Sequence, residues 1–158
     1  MTDPVAEATA EIQRLHDIWF EANIDLKSHL LPGVFAGERF FDYNLNGYRY
    51  DGVSEMEKLW EPAHMKAAFE ILELANIRNK SIVATADIGW LTLEADCVMK
   101  MITGGMGDMG GEGDLVTLPF RITECYRRDD GNGNSEWRMW HFHCSPERTD
   151  VEKRFDPA

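Results

Sequence analysis

Nine residues near the end of the chain, Trp137-Arg138-Met139-Trp140-His141-Phe142-His143-Cys144-Ser145, restrict the fold more than any other stretch. They are rich in aromatics, contain no Gly or Pro, and follow the turn residues Gly131 to Asn134, so they read as a β-strand from Glu136 to about Ser145. Strand side chains alternate. Regular alternation puts Trp137, Met139, His141 and His143 on one face and Trp140, Phe142 and Cys144 on the other. Neither face suits water, and a strand apolar on both sides is covered on both. Helices of the same chain can cover one face. The other calls for a partner subunit. The expectation is a curved sheet with a cavity on one face and a homodimer contact, through Trp137, Met139, His141 and His143, on the other.

At 158 residues the chain can build one domain with a full core, 1-158, with 147-158 reading as a charged tail. A net charge of −12 and a pI near 4.7 oppose nucleic acid and anionic membranes as partners. No apolar run approaches the roughly 20 residues of a membrane span. Met1 to Glu11 lacks the basic and apolar regions of a signal peptide. Cys97, Cys125 and Cys144 have neither zinc nor disulfide spacing and read as reduced, small hydrophobes of a cytoplasmic protein.

From the N-terminus, Asp3 and Pro4 start a helix expected to reach about Leu30, with Val5, Ala8, Ile12, Leu15, Trp19, Ala22 and Leu26 as its apolar stripe and Asn23 beside it. A hairpin pairs Phe40–Asn44 with Gly47–Tyr50. A helix over about Ser54–Met65 follows, with Ser54 and Glu57 as a capping box and Pro62 near its end. Strands are expected over Ala67–Asn76, Lys80–Ile88, Trp90–Ile102 and Leu115–Arg128, with turns or bulges at Asp87–Gly89 and Glu94–Asp96. The glycine-rich Thr103–Asp114 reads as a long hairpin loop, or as a lid bringing Met106 and Met109 to a ligand. The class is α+β, with helices on one face of a bent antiparallel sheet.

The segment Cys125–Ser145, with Tyr126-Arg127-Arg128-Asp129 ending one strand and His141-Phe142-His143 centring the next, resembles the last hairpin of the calcium/calmodulin-dependent protein kinase II association domain. It also resembles SnoaL-like proteins; both belong to the nuclear transport factor 2-like superfamily. The long first helix, and Asp51-Gly52 ahead of a helix carrying Leu59-Trp60, follow the same pattern. The resemblance implies a cone: a long N-terminal helix and shorter helices over the concave face of a strongly bent sheet, a deep pocket inside, and a dimer on the convex side. It implies either a cofactor-free isomerase, dehydratase or polyketide cyclase, or a noncatalytic binding or assembly module, because this fold alone does not set function. The arginines that line the kinase pocket map to Met101, Thr123 and Cys144, with Arg121 as a partial substitute. The pocket implied here is more apolar, formed by Trp19, Asn23, Phe41, Trp60, Met101, Arg121, Thr123, Trp140, Phe142 and Cys144.

Proton transfer at a carbonyl compound needs a carboxylate tuned for the task and a donor to the developing oxyanion, both in a water-poor site. Asp17 and Asp42 are the candidate bases, ahead of Asp87 and Asp96, and Tyr43 and Tyr50 the candidate donors. His141 and His143 share a strand face but lack a third ligand nearby in sequence, so no metal is expected, and no cofactor. The expected ligand is a small apolar or aromatic molecule.

Overall fold

The Asp3 carboxylate accepts the Val5 backbone N–H at 3.0 Å and Pro4 occupies the first turn, so helix α1 begins where expected. It spans Pro4–Asn23 in the computed structural model, which describes residues 3–103 and 110–148. Ala8, Ile12, Leu15, His16, Trp19 and Ala22 are buried along it, while Val5 is exposed. The helix stops short of Leu30 because Asp25 and Leu26 take positive φ (64° and 50°) and the Lys27 N–H closes onto the Ala22 carbonyl at 2.7 Å. This left-handed reversal swings Leu26 back into the core.

Three short helices follow: α2 (Leu31–Val34), α3 (Gly52–Leu59) and α4 (Met65–Ala68). Helix α3 is shorter than the expected Ser54–Met65, and Pro62 lies beyond its end. Ser54 is no cap; its hydroxyl donates to Glu38 Oε1 at 2.5 Å. Glu55, not Glu57, reaches back to accept the Asp51 N–H at 2.7 Å.

The described residues form six strands, β1 (Phe41–Tyr43), β2 (Arg49–Asp51), β3 (Phe69–Ala84), β4 (Ile88–Met101), β5 (Leu115–Arg128) and β6 (Trp137–Pro146). They form one sheet in the order β2-β1-β6-β5-β4-β3, antiparallel except where β1 runs parallel to β6. The strands expected over Ala67–Asn76 and Lys80–Ile88 are a single strand, β3, broken by bulges between Ile71 and Ser81. Asn76 and Asn79, at φ 51° and 52°, are the left-handed positions that bend it. Glu94–Asp96 is no turn; it lies in the regular β4–β5 ladder opposite Arg121–Pro119, but the expected bulge occurs across from it, in β3 between Ala75 and Ser81.

A bulge in β6 overturns the expected faces of that strand. Cys125 pairs with His141 but Tyr126 pairs with Met139, so Trp140 is an extra residue. Before the bulge the odd residues face inward: Trp137 is 7% and Met139 0% exposed. After it Phe142 and Cys144 face inward. Trp137 and Met139 are therefore core residues and not part of an outer contact. Trp140 faces outward, beneath the Arg127 guanidinium at 4.3 Å, and His141 lies outward stacked on Phe41 at 4.3 Å.

Helix α1 lies across the concave face. It packs so closely that a Cβ on Gly89 would sit 2.6 Å from Ile12 Cδ1. A buried polar cluster pins it there. Glu124, fully buried on β5, faces His16 Nδ1 with both carboxylate oxygens at 3.1 Å and accepts the Tyr126 hydroxyl at 2.7 Å. Removing one member strands a charge or donor in the core, whereas replacing the pair with apolar groups removes that penalty. Urea unfolding should therefore show His16→Ala losing about 3–5 kcal/mol, and His16→Leu/Glu124→Leu losing much less than its two single variants summed.

Candidate active site

Beyond the His16 anchor, α1 and the sheet separate and leave a cavity. Its inner chamber, about 100 Å³, is bounded by Trp19, Phe20 and Asn23 of α1, Met56 of α3, Trp60, Ile71 of β3, Cys97 of β4, Phe120 and Ile122 of β5, and Phe142 and Cys144 of β6. Aromatic contacts set its shape: Trp19 stacks on Trp60 at 5.5 Å and meets the edge of Phe142 at 5.2 Å. An outer chamber of about 390 Å³ adjoins it, walled by Leu59, His64, Ala68, Leu118 and Pro146. The two share Asn44, Leu45, Met65, Phe69 and Met99.

Asp42 stands behind this wall. It is 0% exposed, and its Oδ1 has no hydrogen-bond partner. Its Oδ2 accepts the Asn44 side-chain amide at 3.0 Å, and Asn44 lines both chambers. Burial pushes the Asp42 carboxyl up to about 7, against a smaller lowering by the Asn44 bond. The same surroundings raise the neighbouring Cys144 thiol, first through its own burial and then through the charge of Asp42. Burial alone pushes Cys97 up to about 12. Both thiols are thus poor nucleophiles, and all three cysteines are free.

Of the residues expected to bind a ligand, Trp19, Asn23, Trp60, Phe142 and Cys144 line the inner chamber. The others lie elsewhere. Phe120, Ile122 and Glu124 face inward on β5, which turns Arg121 and Thr123 outward; the inward position is Ile122, one residue from the expected Thr123. Met101 is buried in the core, outside both chambers. Phe41 lies on the outer face against His141, and the Trp140 indole N–H donates to the Asp129 carbonyl at 2.8 Å.

None of the candidate acid–base groups lines either chamber, and Asp42 alone is hydrogen-bonded to a lining residue, Asn44. Asp17 is exposed and accepts the Gln13 amide at 2.6 Å. Tyr43 points outward, 45% exposed, because its parity on β1 is opposite to that of Asp42. The Tyr50 hydroxyl accepts the Asn46 side-chain amide at 2.8 Å, and the residue lines a separate groove with Lys58 and Glu55. Asp87 pairs with Arg128, and Asp96 with Arg78 and Asn76, away from the cavity. Among the described residues no group of three or more His, Cys, Asp and Glu is placed to hold a metal ion. Met106 and Met109 lie outside the described residues. No helix of the described residues is long and apolar enough to cross a membrane.

Solved structures share this architecture. A nuclear transport factor 2-like superfamily protein from Salmonella enterica serovar Typhimurium superposes with a TM-score of 0.70 over 95% of this chain and 99% of its own, at 14% identity. The chain has the nuclear transport factor 2-like fold. A ketosteroid isomerase-like protein from Erwinia carotovora atroseptica aligns with a TM-score of 0.69 over 89% of this chain and 96% of its own, at 11% identity. A hexachlorocyclohexane dehydrochlorinase gives 0.68 over 96% and 95%, at 14% identity. No protein-family model and no curated protein matches the sequence. The α+β class and the superfamily resemblance are borne out by these structures; at such identities they show the fold alone.

The Asp42 carboxyl gives the site a stability signature. Between the model-peptide value of 3.8 and about 7 the folded chain holds a proton that the unfolded chain has lost. Stability therefore falls as pH rises through that window and levels off above it, by about 4 kcal/mol in all. Asp42→Asn should raise Tm over the native chain at pH values near 8, and that gain should vanish near pH 4; thermal melts across the range read it directly.

Proposed function

We propose that the cavity binds a largely apolar or aromatic carbonyl compound and moves a proton on it without a cofactor, with Asp42 as the base. The observation that carries this reading is the buried, unpartnered Asp42 Oδ1 beside an apolar cavity. A carboxyl at about 7 is half ionised near neutrality, where it can both take and return a proton. Asn44, bonded to Asp42 and facing the cavity, is the gate whose amide must turn aside for a substrate to reach the carboxylate. In the reaction, Asp42 removes a proton from the carbon beside the carbonyl. The C–H electrons pass into an enolate, and its oxygen accepts a hydrogen bond from an amide N–H of Asn23 or Asn44. Where a C=C lies β,γ to the carbonyl, the dienolate takes the proton back from the Asp42 carboxyl at its γ carbon and the double bond moves into conjugation; where a hydroxyl sits on the β carbon, the enolate electrons form the C=C as the C–O bond breaks and the Asp42 carboxyl protonates the departing hydroxide to water. The isomerase-like and dehydrochlorinase neighbours support proton chemistry on this fold by analogy.

A binding or assembly module is the second reading. It is favoured by Asp42 lying behind the wall and not on it. Incubation with benzyl methyl ketone in D₂O separates the two. Proton chemistry by Asp42 predicts accelerated deuterium uptake at the activated carbon, seen by NMR, and a loss of about 10²–10⁴-fold in Asp42→Asn. Equal uptake with and without the carboxylate removes Asp42 as the base.

We also infer that a second copy of the chain covers the outer sheet face. Tyr43 and Trp90 are each 45% exposed there, with Phe41, Trp140 and His141 half-buried beside them. Aromatics in one patch are the composition of a contact surface. Sedimentation should find a dimer, and Tyr43→Glu/Trp90→Glu a monomer that is still folded. The free cysteines fit a cytoplasmic setting.

A further inference from the structure

The proposed base lines neither chamber; it is joined to the cavity through Asn44. Asn44, the residue that bonds Asp42, is one of those shared by the inner and outer chambers. Leu45, Met65 and Phe69 complete the same passage. A carbon at Asn44, where its amide turns aside from Asp42, therefore has space on both sides of it. The two spaces differ. The inner chamber, about 100 Å³, is smaller than the roughly 150 Å³ apolar cavity known to hold benzene. It takes a short branched group whole, or a single ring that projects into the passage shared with the outer chamber, and nothing larger. The outer chamber, about 390 Å³, lies within the range of small-molecule sites, and Leu59, Ala68, Phe69, Met99 and Leu118 make it apolar.

We propose that the ligand is an elongated carbonyl compound whose acidic C–H is internal, with one ring or short branched group in the inner chamber and a longer apolar arm in the outer one. This rests on the reading of Asp42 as the base and adds to it the substrate class and the position of the reacting carbon. A compact molecule with its acidic carbon at one end would leave the larger chamber filled with water. A rigid fused polycycle would not pass the aromatic walls of the smaller one.

Benzyl alkyl ketones of increasing alkyl length test the proposal, because their activated carbon lies between a ring and an arm. Dissociation constants can be read from tryptophan fluorescence, since Trp19 and Trp60 line the inner chamber. Affinity should rise by about three- to fourfold per methylene, the worth of one buried CH₂, until the outer chamber is full, and then stay level. Ala68→Trp and, independently, Leu118→Trp fill only the outer chamber. Each should abolish the gain with chain length. Ile122→Trp fills only the inner chamber and should weaken short and long members alike. Binding that is indifferent to alkyl length in the native chain, or a gain that survives both outer-chamber variants, overturns the two-chamber proposal while leaving a ring-binding site intact. Failure of every member to bind, with the variants folded by circular dichroism, overturns the underlying cavity reading as well.

Discussion

The fold depends on how one carboxylate is buried. Glu124 sits inside the sheet with its oxygens on His16 and Tyr126, and this cluster fixes where and at what rotation α1 crosses the strands. Hydrophobic burial along Ala8, Ile12 and Leu15 is strong but undirected, and would tolerate small slips of the helix. A hydrogen-bonded polar cluster in a low-dielectric core does not tolerate them, since a slip leaves a buried polar group without a partner. With His16 fixed, Trp19, Phe20 and Asn23 must face the cavity one and two turns farther along the helix.

The two buried carboxylates on the inner side of the sheet thus have opposite characters. Glu124 is satisfied by partners on two elements and serves as an anchor. Asp42 keeps an unpartnered oxygen and one bond to a lining amide, so its charged form is penalised by burial with little to offset it. Such under-satisfaction is a cost to stability, and the proposed role of Asp42 rests on it. Its one partner, Asn44, lines both chambers of the cavity.

Much of this was legible in the sequence, and the failures have definite causes. The two-sided apolar strand at Trp137–Ser145, the long amphipathic helix and the short hairpin around Asn44–Gly47 all form, because each rests on a period or turn chemistry that tertiary packing reinforces. Of the residues named from the sequence, Trp19, Asn23, Trp60, Phe142 and Cys144 line the inner chamber, and Asp42 is bonded to the lining Asn44. Side-chain direction was less so. The bulge at Trp140 carries no Gly or Pro to mark it, and one unmarked residue reverses every face before it, which moved Trp137 and Met139 into the core. A one-residue offset on β5 likewise exchanged Thr123 for Ile122. Glu124 was missed because a carboxylate in a strand reads as outward. The signal was present in the alternation Phe120, Ile122, Glu124, Tyr126, whose inward members bracket it. The left-handed Asp25–Leu26 and Asn76–Asn79 bends are set by packing, and no glycine announces them.

The most direct test of this account is the titration of Asp42 itself, followed by carbon NMR of its side-chain carboxyl in the folded, ligand-free protein. A buried carboxylate with an unpartnered oxygen predicts a midpoint near 7. A midpoint near 4, the value of an ordinary solvated aspartate, would show that Asp42 is stabilised as an anion, and would contradict the proposal that it is the proton-transfer group of this cavity.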